Sequence, residues 1–591
     1  MMRLTFTPLA LLCASFSSPL LAAECTAPFV PVHAIQGNGD KSPQAGKTLT
    51  TRGVVLTVLY ADSKSPQLLL GSVEADQDPA TAEAMLVLDN QQAKQRQPGD
   101  VLQLTGTVRE IAGMTALTNL SLAEYCARQP LPAATAVTLP VASLQSFEAL
   151  EGMWLSFPQS LIVNDSYGLS RYGELVLANE RLPVATEVAA PGDASKALMA
   201  KQLLQEITID DVSLKQNPQP VRFPTGNLSA SNTVRVGDTV NKLQGYLLQT
   251  KAGYRLVVSQ QPEFVATNPR PAAPAAKKAG ELRIASFNVL NFFTGAGNSQ
   301  RFPTKRGATD ANELQRQQAK MLSALSAMDA DVIGLLEVEN NGFGSDSAIA
   351  TLVQGLNQQL GSEVYAFVQP AEKPGSDDIM VAMIYRKAQV EPIGTTAVYN
   401  KAPFDKGSRP PLAQSFRHLD SKEQLTVSIN HFKSKGSCPK QIGPDSDMND
   451  GQGCWTPTRV AAAKALTEWL KTEPTGIDTD YVLMMGDLNA YRKEAPLQYL
   501  EQNGWQHLAP KDAVHSSFVY RGRSGTLDHA LASPQLKAKL QQFQHWGINA
   551  DEPAVLDYNT EFKSKAQQQE LYAPTPYRSS DHDPLYMDFK F

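Results

Sequence analysis

The chain has 591 residues, of which 42% are hydrophobic, enough to bury several cores and to exclude a disordered or fibrous polymer. At this length roughly three or four domains are expected. The 53 basic and 59 acidic side chains leave a net charge of −6, which excludes a surface coated with basic residues. Any polyanion would have to be held by local cations or through a metal.

Residues 1–23 have the layout of a secretory signal peptide. Arg3 precedes an apolar stretch around Pro8–Ala14, and small residues run up to Ala22 and Ala23, where cleavage is expected. No other stretch approaches the ~20 apolar residues that cross a bilayer. The mature protein is therefore expected to be soluble, without a membrane partner, in the periplasm or outside the cell. Removing Cys13 leaves an even number of cysteines, which suits an oxidising compartment. Cys25–Cys126 and Cys438–Cys454 are the expected pairs, with two other pairings open.

Short strand-like runs follow at 48–60, 67–73, 100–108, 174–178, 241–249 and 254–260, separated by turn signals. They predict two all-β modules, at 24–130 and 131–266. A related phrase recurs as AGKTLTTRG, PGDVLQLTG and VGDTVNKLQG, either through duplication or because Gly-Asp turns commonly precede strands. The Pro/Ala-rich segment 267–280 reads as a semi-extended linker.

From 281 to 591 strands alternate with helices. LRIASFNVLNF (282–292), DVIGLLEVEN (331–340), LTVSINHFK (425–433) and YVLMMGDLNA (481–490) read as strands, with helical spacing at 311–328 and about 458–471. Open α/β sheets place ligands beyond the carboxyl ends of such strands. Those ends carry Asn288, Glu337, His431, Asp487 with Asn489, Asp528 with His529, and Asp581 with His582. Singly, each has a structural explanation. Together they supply hard oxygen ligands and imidazoles with no serine or cysteine nucleophile, which favours Mg²⁺, Mn²⁺ or Ca²⁺ over zinc. Asp583 reads as structural.

Between Cys438 and Cys454, Asp445, Asp447 and Asn449 stand at alternate positions before Gly451. This spacing resembles the start of a calcium loop, although Asp450 stands where an EF-hand has glycine. The alternative is a solvated acidic hairpin closed by a disulfide.

The ordered set Asn, Glu, His, Asp-x-Asn, Leu-Asp, Ser-Asp-His resembles the endonuclease/exonuclease/phosphatase superfamily, the group of DNase I and the abasic-site endonucleases. With the export signal, the β-rich first half and the phrases NHFKSKG, GQGCW and TLDHALAS, the whole chain resembles bacterial secreted nucleases of the ExeM type. The resemblance implies an α/β four-layer sandwich preceded by OB-like β modules. It implies Asn288, Glu337 and Asp581 as metal ligands, with Mg²⁺ or Mn²⁺ at the site; Ca²⁺ as a structural or auxiliary ion rests on the spacing of Asp445, Asp447 and Asn449. Asp487 and Asn489 would act on the attacking water and the phosphate. His582 oriented by Asp528 would be the acid/base partner, and His431 backed by Asp377 would touch the phosphate. Arg409, Tyr385, Lys433 and Arg459 would hold phosphates, with Lys435, Arg521 and Arg523 as further cations. Leu290 replaces the acidic residue typical of abasic-site enzymes, which favours general DNA cleavage. The implied activity is hydrolysis of DNA, with RNA a further substrate, by a monomer. A phospholipid or sphingolipid phosphodiesterase of the same fold, or a non-catalytic nucleic-acid-binding protein, are the alternatives.

Overall fold

A computed structural model describes residues 25–295, 302–405, 408–510 and 516–591. The expected signal peptide, with Cys13, lies outside the described residues. Among the described residues no helix is long and apolar enough to cross a membrane. The chain divides into two compact units. One comprises residues up to Ala133 with 147–154 and 248–253; the other comprises 134–146, 155–247 and 254–591.

The first unit is built on a closed five-stranded barrel, in the order β1 (Thr48–Leu59), β2 (Gln67–Ser72), β3 (Ala84–Val87), β5 (Met114–Arg128), β4 (Asp100–Ile111). Alternation sets its core: Leu68 and Leu70 of β2 and Leu102 and Leu104 of β4 point inward, where Val32 and Ile35 of the helix Val32–Gln36 join them. Cys25 and Cys126 are disulfide-bonded, tying the amino end to β5. Glu151 is buried in this unit, accepting hydrogen bonds from Gln36 Nε2 (3.1 Å) and the Thr115 N–H (2.9 Å). Burial pushes its carboxyl up to about 8.

In the second unit, β6 (Thr135–Ala136), β7 (Trp154–Phe157), β8 (Leu161–Asp165), β9 (Leu175–Ala178), β10 (Glu206–Asp210), β11 (Thr239–Asn241), β12 (Leu243–Thr250), β13 (Gly253–Val258) and β14 (Glu263–Val265) join one nine-stranded sheet. The expected second module is thus strand-rich, but it carries helices as well. The sheet is not closed, and the β9–β10 connection contains the helix Asp193–Leu203. Its sequence, DASKALMAKQL, is rich in helix formers and lacks a period of two.

The remaining strands form two six-stranded sheets and a hairpin. They are β15 (Glu281–Phe292), β16 (Val332–Glu339), β17 (Tyr365–Phe367), β18 (Ile379–Arg386), β19 (Val390–Val398), β20 (Arg409–His418), β21 (Gln424–His431), β22 (Val482–Asp487), β23 (Gln506–His507), β24 (Phe518–Tyr520), β25 (Arg523–Gly525), β26 (Asp528–Ala532), β27 (Leu540–His545) and β28 (Leu585–Lys590). The sheet orders are β17-β18-β16-β15-β28-β27 and β19-β20-β21-β22-β26-β23, and β24 pairs with β25.

Period-two burial explains why the two sheets stack. Leu282, Ile284, Val332, Leu336, Met587 and Phe589 of one sheet share a core with Val427, Ile429, Leu483, Met485 and Ala530 of the other. The intervening residues face outward, under helices Ala311–Met328 and Ala348–Leu360 on one side and Thr456–Leu470 and Ala495–Gln502 on the other. The result is four layers. At Gly334 the sheets approach so closely that a Cβ would lie 2.4 Å from Ile429 Cδ1.

Residues 267–280 are strapped to this sandwich. Arg270 forks onto Glu552, Trp546 Nε1–H donates to the Ala272 carbonyl at 2.8 Å, and Tyr577 O–H donates to that of Pro271 at 2.9 Å. Within the same unit Arg235 bonds Glu552 at 2.6 Å, Arg181 bonds Asp551 at 2.6 Å and Thr186 Oγ1–H donates to Glu494 at 2.7 Å.

Candidate active site

Strand parity decides which polar side chains meet. Asn288 has the parity of Leu282 and Ile284, His431 that of Val427 and Ile429, and Asp487 that of Leu483 and Met485. All three therefore lie on the faces that the two sheets turn towards each other. Asp528 has the inward parity of Ala530, whereas His529 has the outward parity of Leu531. His529 bonds the Ala490 carbonyl and His507 on that outer side.

Glu337 reaches the same face through an irregularity. Its parity would turn it outward with Ile333 and Leu335, but the pairing of β16 with β18 slips between Leu335 and Val338. Glu337 takes φ +63° there, and Leu290 and Asn291 on neighbouring β15 take +52° and +51°. Left-handed conformations are costly for residues with a Cβ and concentrate at functional sites. Here they let Asn288 Nδ2–H and the Asn291 N–H donate to the two Glu337 oxygens at 3.2 and 3.1 Å. Gly486 is required one residue before Asp487: at φ +132° a Cβ would stand 2.1 Å from the Asn430 carbonyl.

Asn288, His431, Asp487, Asp528 and His582 are buried, while Glu337 and Asp581 keep partial exposure. Asp487 Oδ2 lies 3.4 Å from His431 Nε2 and 4.0 Å from His582 Nε2. Its Oδ1 accepts the Asn489 N–H at 2.8 Å, and Asn489 Nδ2–H donates to the Phe432 carbonyl at 3.2 Å. Asp528 Oδ2 is 2.7 Å from His582 Nδ1 and accepts the Ser517 hydroxyl at 2.7 Å.

The charges are unevenly compensated. Burial pushes Asp487 up to about 7, against the pull of His582. Burial opposes a charged His582, but Asp528 and Asp581 hold its pKa well above the ordinary value. Burial, reinforced by Arg409, drives His431 well below its ordinary value, so that imidazole is neutral at pH 7. Burial and then the negative charge of Asp581 raise Glu337. Two carboxylates raising each other's energy beside the Asn288 amide fit a hard divalent cation, which would relieve the repulsion.

Several expected residues stand elsewhere or are already engaged. Asp377 is not the partner of His431: its carboxylate faces Arg306 at 3.4 Å, and His431 Nδ1 has no hydrogen-bond partner among the described residues. Tyr385 pairs with Val332, five residues before Glu337 on the same strand, which at ~3.3 Å per residue puts it roughly 16 Å away. It packs on Phe416 instead. Arg459 is fully buried and donates to the carbonyls of Lys433, Gln452 and Cys454, so its guanidinium holds the loop closed. Both Asp445 oxygens cap the helix Thr456–Leu470, accepting the Thr458 N–H and hydroxyl. Asp447 accepts the Asn449 N–H. Asp445 thus caps the start of that helix. Lys435 pairs with Glu494 and Arg523 with Glu206, while Arg521 lies over the Tyr520 ring.

Arg409 is buried and donates to the Phe432 carbonyl, with its Nε–H unpartnered among the described residues. It lies within electrostatic reach of Asp377, Glu337 and Asp487. Lys433 is half-buried beside it, over the Trp455 ring at 5.0 Å. Three contributors escaped sequence reasoning. Arg306 adds positive charge next to Arg409, His431 and Lys433. Ser517 orients Asp528, and the Phe518 ring lies 4.7 Å from that of His582. Only the cations of TKRG offered a sequence signal; Ser517 and Phe518 offered none. Asp583 is structural, accepting the Asn549 N–H at 2.6 Å beneath the site.

Residues 285–582, just over half the chain, match the endonuclease/exonuclease/phosphatase family, and the chain belongs to that family. Its carboxyl-terminal sandwich has the DNase I-like fold. Similar solved structures include an endonuclease/exonuclease/phosphatase family protein from Bacteroides thetaiotaomicron, 15% identical over 52% of this chain and 94% of that one, with a TM-score of 0.33. The human Nocturnin catalytic domain is 15% identical over 54% and 96%, TM-score 0.33, and humanized D. rerio TDP2 is 15% identical over 53% and 100%, TM-score 0.33. No curated protein sequence matches the chain.

Proposed function

We propose that this protein is a secreted, divalent-metal-dependent phosphodiesterase that hydrolyses extracellular DNA without sequence preference. The family supports phosphoester hydrolysis, and both disulfides, Cys25–Cys126 and Cys438–Cys454, support an oxidising destination. The observation that carries the reading is the Asp487 carboxylate between His431 and His582, within electrostatic reach of Glu337.

Asn288, Glu337 and Asp581 would hold Mg²⁺ or Mn²⁺, which when bound supplies neutralising charge at the phosphate and the leaving oxygen. Asp487, with a pKa near neutrality, accepts a proton from the attacking water as its oxygen bonds to phosphorus. His582, kept cationic by Asp528, returns a proton through Nε2 to the oxygen whose bond to phosphorus breaks, so proton count and charge balance. Neutral His431, with Arg409, Lys433 and Arg306, supplies donors to the non-bridging oxygens. Such contacts read backbone rather than base, which gives sequence-independent, salt-sensitive binding.

The closed barrel, with strand order β1-β2-β3-β5-β4, supports an OB-like reading of residues 24–130 as a DNA-docking module. Arg52 over Phe29 at 4.5 Å and Arg96 over Tyr125 at 5.9 Å offer surface cation–aromatic pairs there.

Supercoiled plasmid incubated with Mg²⁺ or Mn²⁺ tests the assignment. Nicking followed by linear product, abolished by EDTA, is expected. An unchanged rate in purified His582→Ala overturns it.

A further inference from the structure

In the barrel unit, three side chains with no part in the reaction above converge. His33 comes from the helix Val32–Gln36, and Asp76 and Glu83 come from the connection between β2 and β3. One ligand atom from each lies within 4.8 Å of the others, and among the described residues no other group of three His, Cys, Asp or Glu meets that spacing. His33 Nδ1 and Glu83 Oε2 are inaccessible to solvent and lack a hydrogen-bond partner among the described residues.

Their separation is informative. Nδ1 and Oε2 stand 3.4 Å apart, long for a charge-assisted hydrogen bond, which closes to about 2.7–2.9 Å. Two ligands about 2.0–2.1 Å from a tetrahedral ion stand about 3.3–3.4 Å apart. The carboxylates are also held in place. Asp76 Oδ1 accepts the Asp78 N–H at 2.8 Å and Asp76 Oδ2 accepts the Thr81 hydroxyl at 3.0 Å. The Asp76 N–H donates to Glu83 Oε1 at 2.8 Å, which leaves Oε2 turned to His33. Hydrogen bonds of this kind orient ligands around metals. Asp76 is exposed, which gives an ion a path in and leaves the fourth position to water.

We propose that His33 Nδ1, Asp76 and Glu83 Oε2 form a second metal site, in the barrel unit, selective for a first-row divalent cation with Zn²⁺ as the best match. One imidazole with two carboxylates suits zinc, whereas Mg²⁺ and Ca²⁺ prefer all-oxygen shells. A bound ion would pin the β2–β3 connection to the helix Val32–Gln36. This site is independent of the nuclease reading.

The full chain, stripped with chelator and returned to metal-free buffer, can be titrated calorimetrically with Zn²⁺. Wild type and Glu337→Gln are expected to show a Zn²⁺ site whose affinity falls at least tenfold in His33→Ala and in Glu83→Gln. Mg²⁺ titrations of wild type and His33→Ala should coincide. Equal Zn²⁺ stoichiometry and affinity in wild type and both variants overturns the proposal. Should either variant fail to fold, anomalous scattering at the zinc edge from Zn²⁺-soaked wild-type crystals decides. A peak bonded to His33 Nδ1 supports the site; no peak there overturns it.

Discussion

At the end of the sandwich where β15 begins, Arg283 is buried with its guanidinium forked onto Asp588 at 2.7 and 2.9 Å, and buried Asp331 is met by Lys277 and Arg386. At the end where β15 finishes, Glu337 faces Asp581, His431 Nδ1 has no partner among the described residues, and Asp487 is pushed up to about 7. Both ends bury several ionisable groups on the same strands. One end neutralises each charge with a hydrogen-bonded opposite, which locks the strands together. Apart from the His582–Asp528 pair, the other leaves carboxylates crowded and the His431 imidazole neutral, an arrangement that leaves groups poised to exchange protons or bind a cation. Compensation, more than burial, separates scaffold from reaction centre.

The sharpest way to break this contrast is to mutate each end and read both activity and stability. Asp487→Asn is expected to lower plasmid cleavage by roughly 10²–10⁴-fold with little change in melting temperature, since it removes a charge that burial already disfavours, measured by gel assay and calorimetry. Arg283→Ala should do the reverse. Asp588 would be left buried and unpaired at a cost of about 3–5 kcal/mol in denaturant unfolding, while kcat of the remaining folded protein stays near wild type.

Glu151 of the barrel unit sharpens the contrast, since it is a buried acid without chemistry around it. Its folded pKa of about 8 lies above the ordinary 4.5. The folded state therefore keeps a proton that the unfolded chain releases. Its contribution is complete below pH 4.5 and is lost as pH rises to about 8, at roughly 1.4 kcal/mol per pH unit. Glu151→Gln should flatten that slope in urea unfolding of the first unit; an unaltered slope would remove Glu151 as its source. Tyr385→Phe is the smallest change. Sitting at the paired end, it should alter neither cleavage nor stability by more than about 0.5 kcal/mol, and a lost phosphate contact would appear as a raised KM.

Much of the sandwich was legible because its strands end in polar residues after alternating apolar ones, as in SFNVLN and MMGDLN. The set Asn288, Glu337, His431, Asp487, Asp528, Asp581 and His582 could be assembled from that pattern and from resemblance. Direction was not legible. Tyr385 sits at a strand's carboxyl end, as Asp487 does, but β18 runs antiparallel to β16 and carries it to the opposite end. Nor was side-chain commitment: Arg459 and Asp445 look available in sequence, yet one is spent on loop carbonyls and the other on a helix start. The bulge that turns Glu337 inward leaves no sequence trace, because any residue type can be forced to positive φ if its surroundings hold it there. The strand-rich character of residues 131–266 was legible, but its nine-stranded order was not, because short strands with Gly-Asp turns do not reveal which edges pair.

The Pro/Ala segment before β15 bears on how the enzyme can be handled. A truncation starting at 281 would delete Arg270 and Arg235 together, stranding the carboxylate of Glu552, and would take away the carbonyl that receives the indole N–H of Trp546. Recombinant expression of the carboxyl-terminal sandwich by itself should yield inclusion bodies, and a soluble, active fragment will need to begin ahead of the nine-stranded sheet.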